Sequence, residues 1–331
     1  KKEQVQVLYR QGKDWFKVQH VKSQHTGWVA AEALSLVLPT SLKQQQKQEL
    51  TDVLGLFRGN NLGLFSATGI YGADAGQQDV PRVDYQAGIR FQARQHVAAM
   101  TSSASPLPDF HLLEARDSRF VLFSLSPFLE VPQYLTLAHF DRTEDFAGSA
   151  VRDRLTLIAG KAQGPWGESV LVALDESLWP VWIYRDLREL WAMLPINLQG
   201  ELRAESFQML GLSPEGYLLV EAYNQKLAKK VIVYWRYDTE WIFQNMLQWP
   251  SQLDASRVKR WFVAANSEAL VLAVNGPEAA QLFLFPAGLS EVALYQPLPK
   301  VLRDVVWLSQ DLWVLDTDSL TRWKPLYTSV N

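Results

Sequence analysis

Short runs of apolar residues, separated by polar turns, follow one another along most of the chain. From Thr51 onward these runs fall into groups of four, and almost no segment has the 3.6-residue spacing of an amphipathic helix. Three such groups are residues 155–158, 170–173, 181–184 and 190–193; residues 207–210, 217–220, 231–234 and 241–243; and residues 261–263, 269–272, 282–285 and 292–295. Each run has the length of a strand, so the pattern predicts an all-β fold.

The groups recur about every 45–53 residues, and a four-stranded unit repeated at roughly this period is typical of a β-propeller. Radial stacking of such units buries both faces of each sheet, and closure of the ring protects the edges. The last group has only three clear strands, and we expect residues 53–57 to supply the fourth. We predict six blades over residues 51–331, or seven because residues 66–110 are hard to divide. A pair of β-sandwiches or a closed barrel would also have many short strands, but neither explains groups of four.

Residues 1–37 have a separate pattern. Val5, Val7 and Tyr9 alternate with polar residues, and glycines interrupt the apolar runs that follow. This alternation predicts a small antiparallel β unit. Residues 38–50 are polar and rich in Gln and Lys, so we predict a linker that includes at most one short helix. An exposed helix inside one continuous domain is the alternative.

Three segments of the first 37 residues resemble the second half of a bacterial SH3-like domain. They are residues 5–8 (Val-Gln-Val-Leu), 14–18 (Asp-Trp-Phe-Lys-Val) and 27–34 (Gly-Trp-Val-Ala-Ala-Glu-Ala-Leu). The first half of such a domain, and any signal peptide or lipid anchor, is expected before Lys1. The resemblance implies a partial SH3-like small barrel that binds peptides or cell-wall peptidoglycan outside the cytoplasm. We therefore expect a bacterial protein that is periplasmic or associated with the outer membrane.

Four aromatic residues of this unit are candidates for contacts with a peptide or with the cell wall: Tyr9, Trp15, Phe16 and Trp28. Tyr9 and Phe16 alternate with core positions and are expected to be exposed. Trp15 and Trp28 either form the core of the small unit or line its groove, because about 37 residues can bury little else.

Composition excludes several classes of protein. The net charge is −3 with Lys and Arg dispersed along the chain, whereas a nucleic-acid-binding protein needs a basic face. The chain has no cysteine, so disulfides, thiolate metal sites and a cysteine nucleophile are excluded. No apolar run approaches the ~18 residues that a membrane helix requires. The 13 tryptophans suit stacked β layers, in which large rings fill the space between sheets.

Motifs for catalysis or metal binding are not found in the sequence. The five histidines form no helical zinc motif, and His20 and His25 are expected in a solvated loop. Residues 316–319 (Asp-Thr-Asp-Ser) lack the glycine and glutamate of a calcium loop, and we predict a tight turn capped by aspartate. The serine nucleophile motif Gly-x-Ser-x-Gly is absent. We accordingly predict no cofactor, no metal and no catalytic residue.

These features favour a non-enzymatic protein of the cell envelope. The SH3-like unit would tether the chain to peptidoglycan or to a partner, and the propeller would be a platform for other envelope proteins in a larger assembly. Two alternatives remain: a propeller enzyme that processes glycans or peptides, and a sensor that binds a sugar or small molecule in the central channel. Several carboxylates, arginines or histidines converging at the channel mouth would favour these alternatives.

Overall fold

The structure of the chain is a computed structural model. It describes residues 5–11, 15–34, 36–58, 62–66, 69–72, 83–84, 97–101, 110–116, 119–125, 133–137, 143–152, 155–162, 169–175, 180–184 and 186–330.

The amino-terminal residues form a three-stranded antiparallel sheet, in agreement with the predicted small β unit. Its strands are β1 (Val5–Gln11), β2 (Trp15–His20) and β3 (Thr26–Ala30), with β2 in the centre. A short 3₁₀ helix, Ala31–Ala33, follows β3. The further assignment of this sheet to an SH3-like domain stays a prediction.

The stretch predicted as a linker or short helix is a strand, so that prediction is wrong. Strand β4 runs over Leu36–Glu49. It pairs antiparallel with the last strand of the chain, from Leu36 opposite Val330 to Glu49 opposite Ser319. Among the described strands β4 pairs with β27 alone, so it is an edge strand. Lysines and glutamines are tolerated there because they keep the open edge solvated.

The rest of the described chain folds into four-stranded antiparallel units, as the repeat predicts, and a single parallel bridge joins the third and fourth units into one eight-stranded sheet. The first two comprise β5 (Val53–Arg58), β6 (Leu62–Ser66), β7 (Gly69–Gly72) and β8 (Val83–Asp84), then β9 (Val97–Thr101), β10 (Phe110–Arg116), β11 (Arg119–Leu125) and β12 (Gln133–Leu137). The next two comprise β13 (Thr143–Arg152), β14 (Leu155–Ala162), β15 (Ser169–Leu174) and β16 (Pro180–Tyr184), then β17 (Gln208–Leu212), β18 (Tyr217–Asn224), β19 (Lys229–Tyr237) and β20 (Trp241–Gln248). The last two comprise β21 (Arg260–Ala265), β22 (Ala269–Asn275), β23 (Ala280–Pro286) and β24 (Leu294–Leu298), then β25 (Leu302–Leu308), β26 (Asp311–Asp316) and β27 (Ser319–Val330) together with β4.

The first strands of successive sheets lie next to one another and form a closed cycle. Strand β5 lies beside β9, β9 beside β13, β13 beside β17, β17 beside β21, β21 beside β25, and β25 beside β5. Four-stranded sheets arranged radially around such a cycle make a β-propeller, and the predicted fold class is confirmed. The described residues contain six four-stranded units. The choice between six and seven blades stays a prediction, since most of residues 73–109 lie outside the described ranges.

The ring is closed by a different strand from the one predicted. Residues 53–57 were expected to complete the last sheet, but they belong to β5, which pairs with β6 in the first sheet. The fourth strand of the last sheet is β4, which lies just before β5 in the chain. The prediction failed because β4 is polar, whereas residues 53–57 carry the apolar pattern of a buried strand.

One predicted strand, residues 190–193, is helical. Helix α1 (Arg188–Ala192) and helix α2 (Ile196–Gln199) connect β16 to β17. Leu187, Leu190 and Leu194 are buried, and their spacing of three and four residues is that of one helix face. Helix α1 has only five residues, so its apolar run alone does not distinguish a helix from a strand.

Two glycines permit the close approach of neighbouring first strands. Gly148 in β13 has φ +131° and pairs in parallel with Leu212 of β17. A Cβ atom at Gly148 would overlap the carbonyl oxygen of Leu212. At Gly211 in β17, a Cβ atom would lie 2.8 Å from Cγ2 of Val263 in β21. Larger residues at these positions would force the blades apart.

Large side chains fill the spaces between the sheets. Trp235, Phe283, Phe285 and Trp307 are almost completely buried. Truncation of such a ring to alanine typically costs about 3–5 kcal/mol. These positions account for part of the high aromatic content of the sequence.

Candidate functional site

The three-stranded sheet has one buried and one exposed aromatic face. Phe16 and Val18 are buried, with Phe16 only 2% exposed. Trp15 and Trp28 are 50% and 42% exposed. Adjacent residues of a strand point to opposite faces, so burial of Phe16 turns Trp15 outward. The prediction that Phe16 is exposed is therefore wrong. Trp15 and Trp28 are exposed and do not form the core of the sheet, and the prediction that they line a groove stays a prediction.

Strand pairing brings the two tryptophans to one face. Trp15 of β2 pairs with Ala30 of β3, and Lys17 of β2 pairs with Trp28 of β3. Trp15 and Trp28 are thus diagonal neighbours, a relation that separates residues by about 7–8 Å and keeps large rings within reach of each other. Tyr9 of β1 pairs with Lys17 from the other side. Its side chain lies outside the described residues, so its predicted contact role stays a prediction.

Lys17 belongs to the same face and is not among the site residues predicted from the sequence. Its Nζ lies 5.4 Å from the centre of the Trp28 ring, which is the distance of a cation–π contact. The signal for it was present in the sequence, since Trp15 and Lys17 are two residues apart on one strand. A lysine at that spacing indicates the solvent-exposed face of a sheet. Phe16 and Val18 then fall on the buried face. We call Trp15, Lys17 and Trp28 the aromatic face.

The turn between β2 and β3 is held by local hydrogen bonds. The backbone N–H of Ser23 donates to Nδ1 of His20 at 3.1 Å, and the side-chain amide of Gln24 donates to the carbonyl of Val21 at 2.8 Å. Gln24 adopts φ +60°, a left-handed conformation that ends a tight turn. These bonds hold the ends of β2 and β3 together and so fix the strands that carry the tryptophans.

Charged side chains also occur where β25 meets β5, the seam between the last and the first sheet. Oδ2 of Asp304 accepts the backbone N–H of Leu56 at 2.9 Å, and Oδ1 accepts the N–H of Val305 at 2.8 Å. Arg303 donates to the carbonyl of Val53. Burial raises the pKa of Asp304 to about 6, although the two backbone bonds and the positive charge of Arg260 oppose the rise. Oδ2 of Asp304 and the Arg303 side chain thus bind backbone across the seam, and Oδ1 binds the backbone of its own strand, so these groups have a structural role.

Residues 316–319 form the predicted aspartate-capped turn. Oδ1 of Asp316 accepts the backbone N–H groups of Asp318 and Ser319, each at 2.7 Å. Lys300 donates to Asp318 at 2.6 Å. Among the residues that the structure describes, no three His, Asp or Glu side chains come together as a metal site. Nor does any helix in the described ranges have the length and apolar character needed to cross a membrane.

Comparison with known proteins finds likeness in shape alone. No protein-family model matches the sequence, and no curated protein matches it. Among solved structures, Sqt1 of Saccharomyces cerevisiae has a TM-score of 0.42 at 10% identity, over 95% of this chain and 80% of that one. KlHsv2 with loop 6CD replaced by a Gly-Ser linker has 0.39 at 12% identity, over 99% of each chain. The Dos1 propeller has 0.37 at 11% identity, over 88% of this chain and 75% of that one. All three TM-scores are below 0.5, so the β-propeller assignment of this chain rests on its own strand pairing.

Proposed function

We propose that this chain is a non-enzymatic binding protein of the bacterial cell envelope. In this proposal the aromatic face tethers the chain to the peptide-bearing polymer of the cell wall, peptidoglycan. The propeller is a rigid platform for other envelope proteins in a larger assembly. The location in the periplasm or at the outer membrane is part of the proposal and is supported by the resemblance of residues 1–37 to SH3-like domains.

The observation that carries the proposal is the exposure of Trp15 and Trp28 side by side on one sheet face. A small unit has few large apolar side chains with which to build a core, yet here Phe16 and Val18 supply the buried face and the two tryptophans do not. Exposed tryptophan has a large apolar surface and a hydrogen-bond donor, and it is enriched at sites where a few residues dominate binding. A second exposed ring within reach of the first makes a surface suited to a ligand rather than to solvent.

The connection between sheet and ring supports a platform role. Only residues 31–35 separate β3 from β4, and β4 is hydrogen-bonded to β27 from its first residue. The small sheet is therefore attached through a paired ribbon instead of the polar linker that was predicted. Such a connection would transmit the position of a bound ligand to the ring.

The enzymatic alternative is less well supported. It requires polar side chains that converge at the channel and still have hydrogen-bonding capacity for a substrate. Asp304, the carboxylate of the seam, already accepts two backbone N–H bonds, and Arg303 donates to a backbone carbonyl. These groups hold two blades together, so they do not favour a catalytic site.

The test is co-sedimentation of the purified full chain with insoluble peptidoglycan. We expect the wild type to sediment with the polymer and the double variant Trp15→Ala/Trp28→Ala to lose at least about ten-fold in affinity, which corresponds to roughly 1.4 kcal/mol. Val21→Ala is the matched control, because Val21 is 49% exposed in the adjacent turn. A wild-type chain that stays in the supernatant refutes the wall-binding role. Equal binding by the wild type and the double variant refutes the assignment of the site.

A further inference from the structure

We infer that the aromatic face recognises an extended peptide that carries a carboxylate. This inference rests on the binding role proposed above and adds the chemical class of the ligand. It uses three features of the small sheet: the position of Lys17, the spacing of the two tryptophans and the local charge.

Lys17 provides a positive charge inside the aromatic surface. Its ammonium group lies over the Trp28 ring, and it forms no ion pair with any carboxylate among the described residues. A cation–π contact leaves most of the ammonium group available for a second partner. A ligand carboxylate placed beside Trp28 would therefore meet a cation whose charge is not yet neutralised.

The spacing of Trp15 and Trp28 suits an extended chain. Diagonal neighbours on a sheet lie about 7–8 Å apart. Side chains that are two residues apart on an extended peptide are separated by two rises of about 3.3 Å and lie on the same side. Alternate side chains of such a peptide can thus contact the two rings in turn, and a carboxylate of the same chain can pair with Lys17.

The charge of the small unit favours an acidic ligand over a neutral one. Residues 1–37 contain six Lys or Arg and three Asp or Glu, whereas the whole chain has 32 and 35. The amino-terminal unit therefore has a net positive charge on a protein that is otherwise negative. Long-range attraction would therefore favour the approach of an acidic chain to this part of the molecule.

The inference is tested with two fluorescein-labelled synthetic peptides and the full chain, by fluorescence anisotropy. One peptide contains two glutamates and a free carboxyl terminus, and the other has glutamines and a terminal amide at the same positions. We expect the acidic peptide to bind more tightly and its affinity to fall as NaCl is raised, because exposed charge pairs are screened by salt. Lys17→Gln should weaken the acidic peptide roughly two- to five-fold, the range of an exposed ion pair, and leave the amide peptide unchanged. Lys22→Gln is the control, since Lys22 is exposed in the turn and lies outside the aromatic face.

Equal affinity for the two peptides, or no binding of either, overturns the inference. Loss of the acidic peptide to the same degree in Lys22→Gln also overturns it, because the attraction would then be a general effect of net charge. Release of the acidic peptide by inorganic phosphate at constant ionic strength would show a non-selective anion site and has the same consequence. The co-sedimentation test is independent of these results, so failure of the ligand class and failure of wall binding can be distinguished.

Discussion

Substitution of Gly148 by alanine tests how the blades are held together. Gly148 lies at the single parallel bridge between β13 and β17. Two features of the site exclude a side chain. Its φ of +131° is a conformation that residues with a Cβ rarely adopt, and the new methyl group would overlap the Leu212 carbonyl oxygen. Backbone atoms cannot move aside by changing a rotamer, so the two strands must separate.

The loss in the free energy of unfolding that is expected for Gly148→Ala can be estimated from these two features. Strained backbone costs about 1–3 kcal/mol, and overpacking costs about 1–3 kcal/mol. The sum, about 2–6 kcal/mol, is a large part of the 5–15 kcal/mol by which a protein is typically stable. We therefore expect Tm to fall by roughly 3–9 °C, because the unfolding entropy of a chain of this length is large.

The assay is equilibrium unfolding in urea followed by tryptophan fluorescence, with thermal melts by circular dichroism. Gly200→Ala is the matched control, because Gly200 has φ −74° and a Cβ there would meet its neighbours at 3.6 Å or more. That variant should equal the wild type or gain about 0.4–1 kcal/mol in stability. Gly211→Ala should be intermediate and less costly in a Val263→Ala background, since the clash there is with the Val263 side chain. If Gly148→Ala is as stable as Gly200→Ala, the proposed close approach of β13 and β17 is refuted.

Three other predictions concern the closing strand, the seam and the small sheet. A chain that starts at residue 36 should show the same cooperative ring melt as the full chain, whereas one that starts at Thr51 lacks β4 and should melt earlier or aggregate through the open edge of β27; identical melts would contradict closure by β4. The pKa of Asp304 is raised from 3.8 to about 6, so its contribution to stability is present below pH 3.8 and is lost as the pH rises through 6. Asp304→Asn should remove this loss, up to about 3 kcal/mol at 1.36 kcal/mol per pKa unit, and urea unfolding at pH 4 and pH 7 checks it; an unchanged pH dependence would contradict the burial of this carboxyl. Phe16→Ala should destabilise the small sheet by about 3–5 kcal/mol and Trp15→Ala by much less, as measured by hydrogen exchange of β2; equal effects would contradict the assignment of the two faces.

The sequence predicts the repeat well, because each blade must bury apolar strands on both faces. This requirement leaves four apolar runs per unit, and strands β17–β19 and β21–β23 lie close to where the runs predict them. Strand β4 escapes prediction for the opposite reason. It is an outer edge strand whose pairing partner lies about 280 residues away, and its lysines and glutamines carry no apolar alternation. Only the three-dimensional closure of the ring reveals its role.

The aromatic face could be predicted in part. All four aromatic candidates lie in strands of the small sheet, but Phe16 was predicted on the exposed face and lies on the buried one. Phe16 and Trp15 are adjacent and equally apolar, so their order alone does not decide between them. Lys17 and Val18 decide which of the two rings is buried. Lys17 lies two residues after Trp15 and indicates the exposed face, whereas Val18 lies two residues after Phe16 and indicates the buried face.

Hydrogen exchange with mass spectrometry, with and without soluble peptidoglycan fragments, tests the central claim of this account most directly. It locates the bound ligand on the full chain without any substitution. If the aromatic face is the binding site, we expect new protection in residues 15–30, where it lies, and unchanged exchange in the ring. Protection in the blades alone, or at no position, would contradict the claim that this sheet is the binding site.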